Sequence, residues 1–125
     1  MASASLVSEN KGLSHPASVD SMPTSAEKED HVSMGTIAAR KFVKVVQNAQ
    51  NVLAMELLSA TQALDLILPL KPTDGVLVAY EEIRKEVPFA KVDRVFSKDI
   101  EKIRKLILNR KIIKSVEAKV GVLKL

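Results

Sequence analysis

The sequence lacks cysteine and tryptophan, and aromatic residues make up only 3% of it. Without cysteine these residues cannot form disulfides or thiolate metal sites, and such a composition suits a reducing compartment. No early segment has the basic start and apolar run of a signal peptide. Every apolar stretch is broken before it reaches membrane-spanning length, for example by Asp65, Pro69 or Lys71. We therefore expect a cytoplasmic protein without a membrane partner.

The net charge of +4 is unevenly distributed, because residues 98–125 contain nine Lys or Arg and only three acids. A basic segment can bind nucleic acid or an acidic partner, or it can be the solvated face of an amphipathic helix. Nucleic-acid sites usually place aromatic side chains beside the basic ones, and residues 98–125 contain none. The solvated face is the favoured interpretation, with no nucleic-acid partner.

The interval from His31 to Leu68 contains no proline and only one glycine, Gly35. Its apolar residues recur at helical spacing but cover more than one face, which is typical of a helix buried among other helices. At about 1.5 Å per residue such a helix would extend roughly 55 Å, too long for the core of a lone 125-residue globule. The sequence thus predicts an oligomer, a fragment, or both.

Shorter helices are expected on either side of this long one. Prolines and turn-forming residues make the first 24 residues irregular apart from a short helix, and the segment after Asn109 is ambiguous between a frayed helix and a short strand. The predicted short helices are Ala2–Lys11, stopping at Gly12; Gly75–Lys85, capped by Thr73 or Asp74; and Lys98–Asn109, capped by Ser97. The fold class is all-α, a long-helix bundle segment. We divide the chain into an irregular segment and active-site loop at 1–30, a helical part at 31–110 and a basic tail at 111–125.

The stretch "TSAEKEDHVSMG", Thr24–Gly35, concentrates charge just before the long helix. Its first four residues match a capping box, with Thr24 at the N-cap and Glu27 at the third helical position. A metal site would draw on Glu27, Glu29, Asp30 and His31, but their spacing fits no recognised metal pattern. Composition therefore favours a capped helix start. The sequence has neither a Gly-x-Ser-x-Gly nucleophile motif nor a phosphate-binding glycine loop.

Several blocks in the same order resemble the histidine ammonia-lyases, a branch of the aromatic amino acid lyase family. The resemblance covers roughly residues 2 to 108 and fades in the basic tail. "HPASVDS" and "EDHVSMG" favour this branch over the phenylalanine and tyrosine lyases. The blocks are "ASLVSENKGLSHPASVDSMPTSAEKEDHVSMGTIAARK", "NVLAMELLSATQALDL", "PLKP", "AYEEIRKEVPF" and "DRVFSKDI".

This resemblance implies the C-terminal part of an all-α enzyme that is usually a homotetramer and converts L-histidine to trans-urocanate and ammonia. The family's electrophile is a methylidene-imidazolone formed from an internal Ala-Ser-Gly, and a tyrosine base removes a β-proton. These 125 residues contain no Ala-Ser-Gly. The resemblance assigns no base role to Tyr80, so a missing N-terminal lyase part is expected to supply the machinery.

One functional position carries over from the family. Glu29 matches the glutamate that faces the substrate imidazole, where a carboxylate can accept a ring N–H and stabilise positive charge. The family usually has Asn-Gln before it, whereas this sequence has Glu27 and Lys28. Lys28 is placed to pair with Glu29 and is a second candidate for substrate binding. We expect no catalytic, cofactor-binding or metal residue within this chain.

Two hypotheses remain open at this point. The chain is either the C-terminal part of a histidine ammonia-lyase, inactive alone, or a non-catalytic helical assembly or regulatory module descended from that enzyme. The ordered blocks that resemble the lyase favour the first, and the Glu27-Lys28 departure and the missing Ala-Ser-Gly favour the second.

Overall fold

The computed structural model describes residues 1–29, 31–67 and 69–124. These residues form five α-helices and a short 3₁₀ turn, so the all-α prediction is confirmed. The helices are α1 (Ala2–Leu13), α2 (Gly35–Leu66), α3 (Asp74–Glu86), α4 (Ser97–Leu108) and α5 (Lys111–Val120), and the turn is Ala17–Asp20. Within the described ranges no helix is both long enough and apolar enough to cross a membrane.

The long helix predicted from periodicity is α2, with 32 residues. It begins at Gly35 rather than at His31, and the last predicted residue, Leu68, lies outside the described residues. Large apolar side chains stay open to solvent along α2: Ile37 is 50% exposed, Phe42 66% and Val43 56%. The helix therefore carries apolar surface that the described part of the chain does not cover.

The chain divides into two compact units, Met1–Ala49 and Gln50–Leu125. In the first unit the side chain of Asn48 is buried and donates hydrogen bonds to the Glu9 carboxylate at 2.7 Å and to the Asn10 amide oxygen at 2.9 Å. A buried amide is costly unless it is hydrogen-bonded, so Asn48 joins α2 to α1 specifically. The predicted stop at Gly12 is wrong, because α1 runs through Gly12 to Leu13.

The second unit contains an aliphatic core shared by α2, α3 and α4. Its buried members are Ala54, Ile83, Val87, Ile103 and Leu106. Burying each large aliphatic side chain contributes about 1.5–3 kcal/mol, so this small cluster stabilises the unit.

The segment after Asn109 forms helix α5, so the alternative of a short strand is wrong. Arg110 adopts a left-handed conformation, with φ of 55°, and this turn separates α5 from α4. The chain then returns against the first turn of α3, where a Cβ added at Gly75 would lie 3.6 Å from Val116. Tertiary packing thus decides what the sequence pattern leaves ambiguous.

The connector between α3 and α4 is held by side chains from the helices around it and by its own Arg94. Consecutive backbone carbonyls from Glu86 to Ala90 each accept a hydrogen bond from a side chain. The donors, in chain order of the carbonyls, are Lys102, Arg84, Arg94, Arg94 and Gln62. The Gln62 amide oxygen also accepts the N–H of Ala90, at 3.2 Å. The connector follows a defined path although it contains no regular structure.

The predicted side-chain caps are not formed. Thr73 is the N-cap of α3 but makes no side-chain cap hydrogen bond, and the N-cap of α4 is Phe96 instead of Ser97. Asp99, in the first turn of α4, lies 2.9 Å from Arg94 in a largely buried ion pair. The Asp99 carboxylate therefore holds Arg94 of the connector. Its negative charge also interacts favourably with the positive N-terminal end of the α4 helix dipole.

Candidate functional site around Glu29

The candidate site is the loop of residues 21–32, called the Glu29 loop below, of which Asp30 lies outside the described residues. Two sets of hydrogen bonds close this loop. The backbone N–H of Val32 donates to the Ser21 hydroxyl at 2.8 Å. Inside that closure, Thr24 and Glu29 form an antiparallel bridge, with N–H to carbonyl distances of 2.8 and 3.3 Å. The bridge fixes the backbone on which Glu29 stands.

The capping box predicted for this stretch is wrong. Ser25, Ala26 and Glu27 have φ of 57°, 54° and 64°, so they form a left-handed turn instead of the first turn of a helix. The Thr24 hydroxyl donates to the Glu29 carboxylate, at 3.2 Å, instead of capping a helix. One signal could have pointed to this turn: the resemblance described above leads one to expect asparagine at position 27, a residue that tolerates left-handed backbone.

The Glu29 carboxylate is exposed and has one oxygen available. Oε2 accepts the hydrogen bond from Thr24, and Oε1 has no hydrogen-bond partner among the described residues. An ionised carboxylate is an acceptor with two oxygens and can hold several donors. Glu29 can therefore accept an N–H from a ligand or lie beside a cationic ring without breaking its contact with Thr24.

Lys28 lies next to Glu29 in the chain but is not its partner. In the part of the chain that the structure describes, no ion pair joins the Lys28 ammonium to Glu29, and the Lys28 side chain is exposed. Its backbone N–H donates to the Ser25 carbonyl at 3.3 Å, which helps close the turn. The suggested pairing is absent, and a substrate-binding role for Lys28 stays a prediction.

The residues weighed as metal ligands are only partly described, since Asp30 is not among them. Within residues 1–29, 31–67 and 69–124, no three His, Asp or Glu side chains are grouped so as to hold a metal ion. The other histidine is His15. Its backbone carbonyl accepts a hydrogen bond from the Lys41 ammonium.

A second polar cluster, around Tyr80, is structural. The Tyr80 hydroxyl donates to Asp65 Oδ1 at 2.6 Å, and Arg84 forms an ion pair with the other oxygen of the same carboxylate. The hydrogen bond to Asp65 raises the pKa of Tyr80 above its ordinary value of 10.0. A phenol held protonated in this way is a hydrogen-bond donor between α3 and α2, and no base role is assigned to it.

The second unit also has a cavity of about 420 Å³. It is lined by α2 and the connector, with Leu58, Gln62 and Phe96 among its residues, and it contains none of the residues predicted for the site. The chemistry indicated by the sequence therefore rests on the Glu29 loop alone.

Comparison with known proteins identifies similar chains. The family model described as aromatic amino acid lyase matches residues 1–85. Histidine ammonia-lyase from Natranaerobius thermophilus is 51% identical over 121 residues, which are 97% of this chain and 24% of that protein. Among solved structures, histidine ammonia-lyase from Trypanosoma cruzi has a TM-score of 0.88 and 45% identity, covering 97% of this chain and 24% of that one.

A solved structure with a different name is also similar. Tyrosine aminomutase from Streptomyces globisporus has a TM-score of 0.86 and 32% identity, covering 98% of this chain and 23% of that one. The backbone alone therefore does not distinguish these enzymes. In each comparison the chain spans about a quarter of the length of the protein it matches.

Proposed function

Because the chain belongs to the aromatic amino acid lyase family, we propose that it forms the C-terminal part of a histidine ammonia-lyase. In this proposal the complete enzyme converts L-histidine to trans-urocanate and ammonia, in the cytoplasm. Sequence identity supports the choice of substrate, since it is 51% to a histidine ammonia-lyase and 32% to a tyrosine aminomutase.

The observation that carries the proposal is the closed Glu29 loop, which presents a carboxylate with one oxygen available. In the proposed enzyme, Glu29 accepts the N–H of the substrate imidazole and stabilises positive charge on the ring. A hydrogen bond that includes a charged partner contributes about 1.5–3 kcal/mol, enough to favour histidine over phenylalanine by roughly tenfold or more.

The family's methylidene-imidazolone does not fit the residues present here. That group forms from Ala-Ser-Gly, and these 125 residues do not contain this tripeptide. In the proposed enzyme the electrophile has to come from the lyase part upstream of this segment. The residues described here contribute only to binding and orienting the imidazole.

The test is to join this chain to the upstream part of a histidine ammonia-lyase and to follow urocanate absorbance with L-histidine. We expect product, and we expect Glu29→Gln to lower kcat/KM by about tenfold or more, because the neutral amide is a weaker acceptor. Glu27→Gln is the matched control, since it makes the same charge change in the same loop and should leave turnover within about twofold. Absence of urocanate from parts that co-purify would contradict the proposal.

A non-catalytic assembly module is the alternative, and the Glu27-Lys28 pair favours it. If these two residues prevent turnover, then changing them to Asn and Gln in the joined enzyme should restore it. If the changed and unchanged enzymes are equally active, the departure has no catalytic meaning.

Assembly is part of the same proposal. The exposed apolar side chains of α2 suggest that copies of the enzyme associate, as a homotetramer in the pattern of the family. Light scattering behind gel filtration tests this for the isolated chain, and we expect a mass above the 13.7 kDa of one copy. A strictly monomeric chain that also melts cooperatively would contradict the prediction.

A further inference from the structure

We infer that Thr24 is a positioning residue that orients the Glu29 carboxylate toward the substrate ring. The inference rests on the proposed function, and it adds a residue for which neither the sequence pattern nor the resemblance gave this role. Thr24 itself is not expected to touch the substrate. It acts through Glu29.

The first argument is the backbone geometry. Thr24 and Glu29 exchange both of their backbone hydrogen bonds, so they are directly opposite each other in an antiparallel bridge. Side chains of directly opposite residues leave the backbone on the same side, with Cβ atoms about 4.5–5.5 Å apart. The threonine hydroxyl is therefore within reach of the carboxylate by construction, and the observed 3.2 Å hydrogen bond follows from it.

The second argument is the chemistry of the two side chains. A glutamate has three side-chain torsions and, when exposed, samples many rotamers at little cost. Threonine is branched at Cβ and stiff at its first torsion, so its hydroxyl points in a narrow range of directions. Because this hydroxyl donates to Oε2, it restricts the carboxylate and leaves Oε1 for an N–H donor.

The third argument is the outer closure of the loop. Ser21 and Val32 are eleven positions apart, and their 2.8 Å hydrogen bond brings the two ends of the Glu29 loop together. Thr24 is half-buried, whereas Glu29 is exposed. Thr24 is thus the fixed partner inside the loop, and the Glu29 side chain that it orients faces solvent.

The first test uses the 125-residue chain alone and needs no activity. Scalar couplings of the Glu29 methylene protons report whether its side chain holds one rotamer. We expect a dominant rotamer in the wild type and in Thr24→Ser, which keeps the hydroxyl, and averaged couplings in Thr24→Val, which keeps the branched shape but not the donor. Amide exchange at Glu29 shows whether the bridge survives in each variant. Averaged couplings in the wild type, or identical couplings in Thr24→Val with the bridge intact, would overturn the inference.

The second test uses the enzyme joined as described above. Thr24→Val should raise KM for L-histidine about fivefold with kcat changed less, and Thr24→Ser should restore KM to within about twofold. In a Glu29→Gln background Thr24→Val should have no further effect, because a residue acting through Glu29 is not additive with it. Additive effects would show that Thr24 acts elsewhere and would refute the inference. A joined wild-type enzyme that makes no urocanate refutes the proposed function instead, and the coupling measurements still decide the role of Thr24.

Discussion

Replacing Glu27 with asparagine should stabilise the Glu29 loop. Glu27 has φ of 64°, its side chain is exposed, and it makes no hydrogen bond or ion pair with the other described residues. Left-handed backbone costs an ordinary L-residue about 1–2 kcal/mol, and asparagine recovers part of this because its short side chain hydrogen-bonds locally. If half is recovered, Glu27→Asn favours the closed loop by about 0.5–1 kcal/mol, which is a two- to fivefold change in the ratio of closed to open loop.

Amide hydrogen exchange measures that ratio directly, because a local opening exposes the hydrogen bonds inside it. The reporters are the N–H of Glu29, bonded to the Thr24 carbonyl, and the N–H of Val32, bonded to the Ser21 hydroxyl. Both should exchange about two to five times more slowly in Glu27→Asn than in the wild type. Amides in the core of the second unit should not change.

Two control variants separate backbone strain from charge. Glu27→Gln removes the charge and keeps a side chain that gains nothing in left-handed backbone, so its exchange should match the wild type. Lys28→Gln makes the other substitution toward the family pattern at a residue whose φ is not positive, and it should also have no effect. If Glu27→Gln slows exchange as much as Glu27→Asn does, then charge determines loop closure and the strain argument is refuted.

Other predictions concern stability and pH. Ile103→Ala should lower the free energy of unfolding by about 2–5 kcal/mol in urea titrations, because Ile103 is fully buried, whereas Ile113→Ala at a 43% exposed site should cost much less. Tyr80→Phe should lower the free energy of unfolding by about 1.5 kcal/mol, since it removes a hydrogen-bond donor to a carboxylate, and an unchanged urea midpoint would count against this. Because the pKa of Tyr80 is raised above 10.0 in the folded state, this contribution is lost as the pH rises through the raised pKa. The hydrogen bond from Lys85 lowers the pKa of Glu82 below 4.5, so its stabilising contribution is present above that pH and is lost as the pH falls through the lowered pKa. Between about pH 7 and about pH 3, Glu82→Gln should therefore lose less stability than the wild type, and an equal loss in both would contradict this assignment.

The sequence predicted the helices well because their signals are local. The interval that became α2 has helical spacing and lacks proline, and both signals are read within a few turns. The shape of the Glu29 loop was not predictable in this way. Thr24 and Glu27 satisfy the spacing of a capping box, but the structure instead closes the segment with a hydrogen bond between Ser21 and Val32, eleven residues apart.

The difference between local and long-range signals also explains the outcome of the other predictions. Glu29 was proposed as a site residue through family resemblance, since nothing local distinguishes one acid from its neighbours in a charged stretch. Its partner Thr24 was assigned to a helix cap, because the same hydroxyl chemistry serves helix ends and tight turns. The helix α5 was ambiguous because its state depends on packing against α3, as the approach of Val116 to Gly75 shows.

The connector between α3 and α4 has a further consequence, for the tolerance of the chain to change. Its path is held by Arg94 within the segment and by three residues outside it, Gln62, Arg84 and Lys102. Val92, in the middle of the connector, is 77% exposed. Position 92 should therefore accept a fluorophore with little loss of stability, whereas a conservative change at Gln62, far away in sequence, removes hydrogen bonds to Ala90 and should loosen the connector.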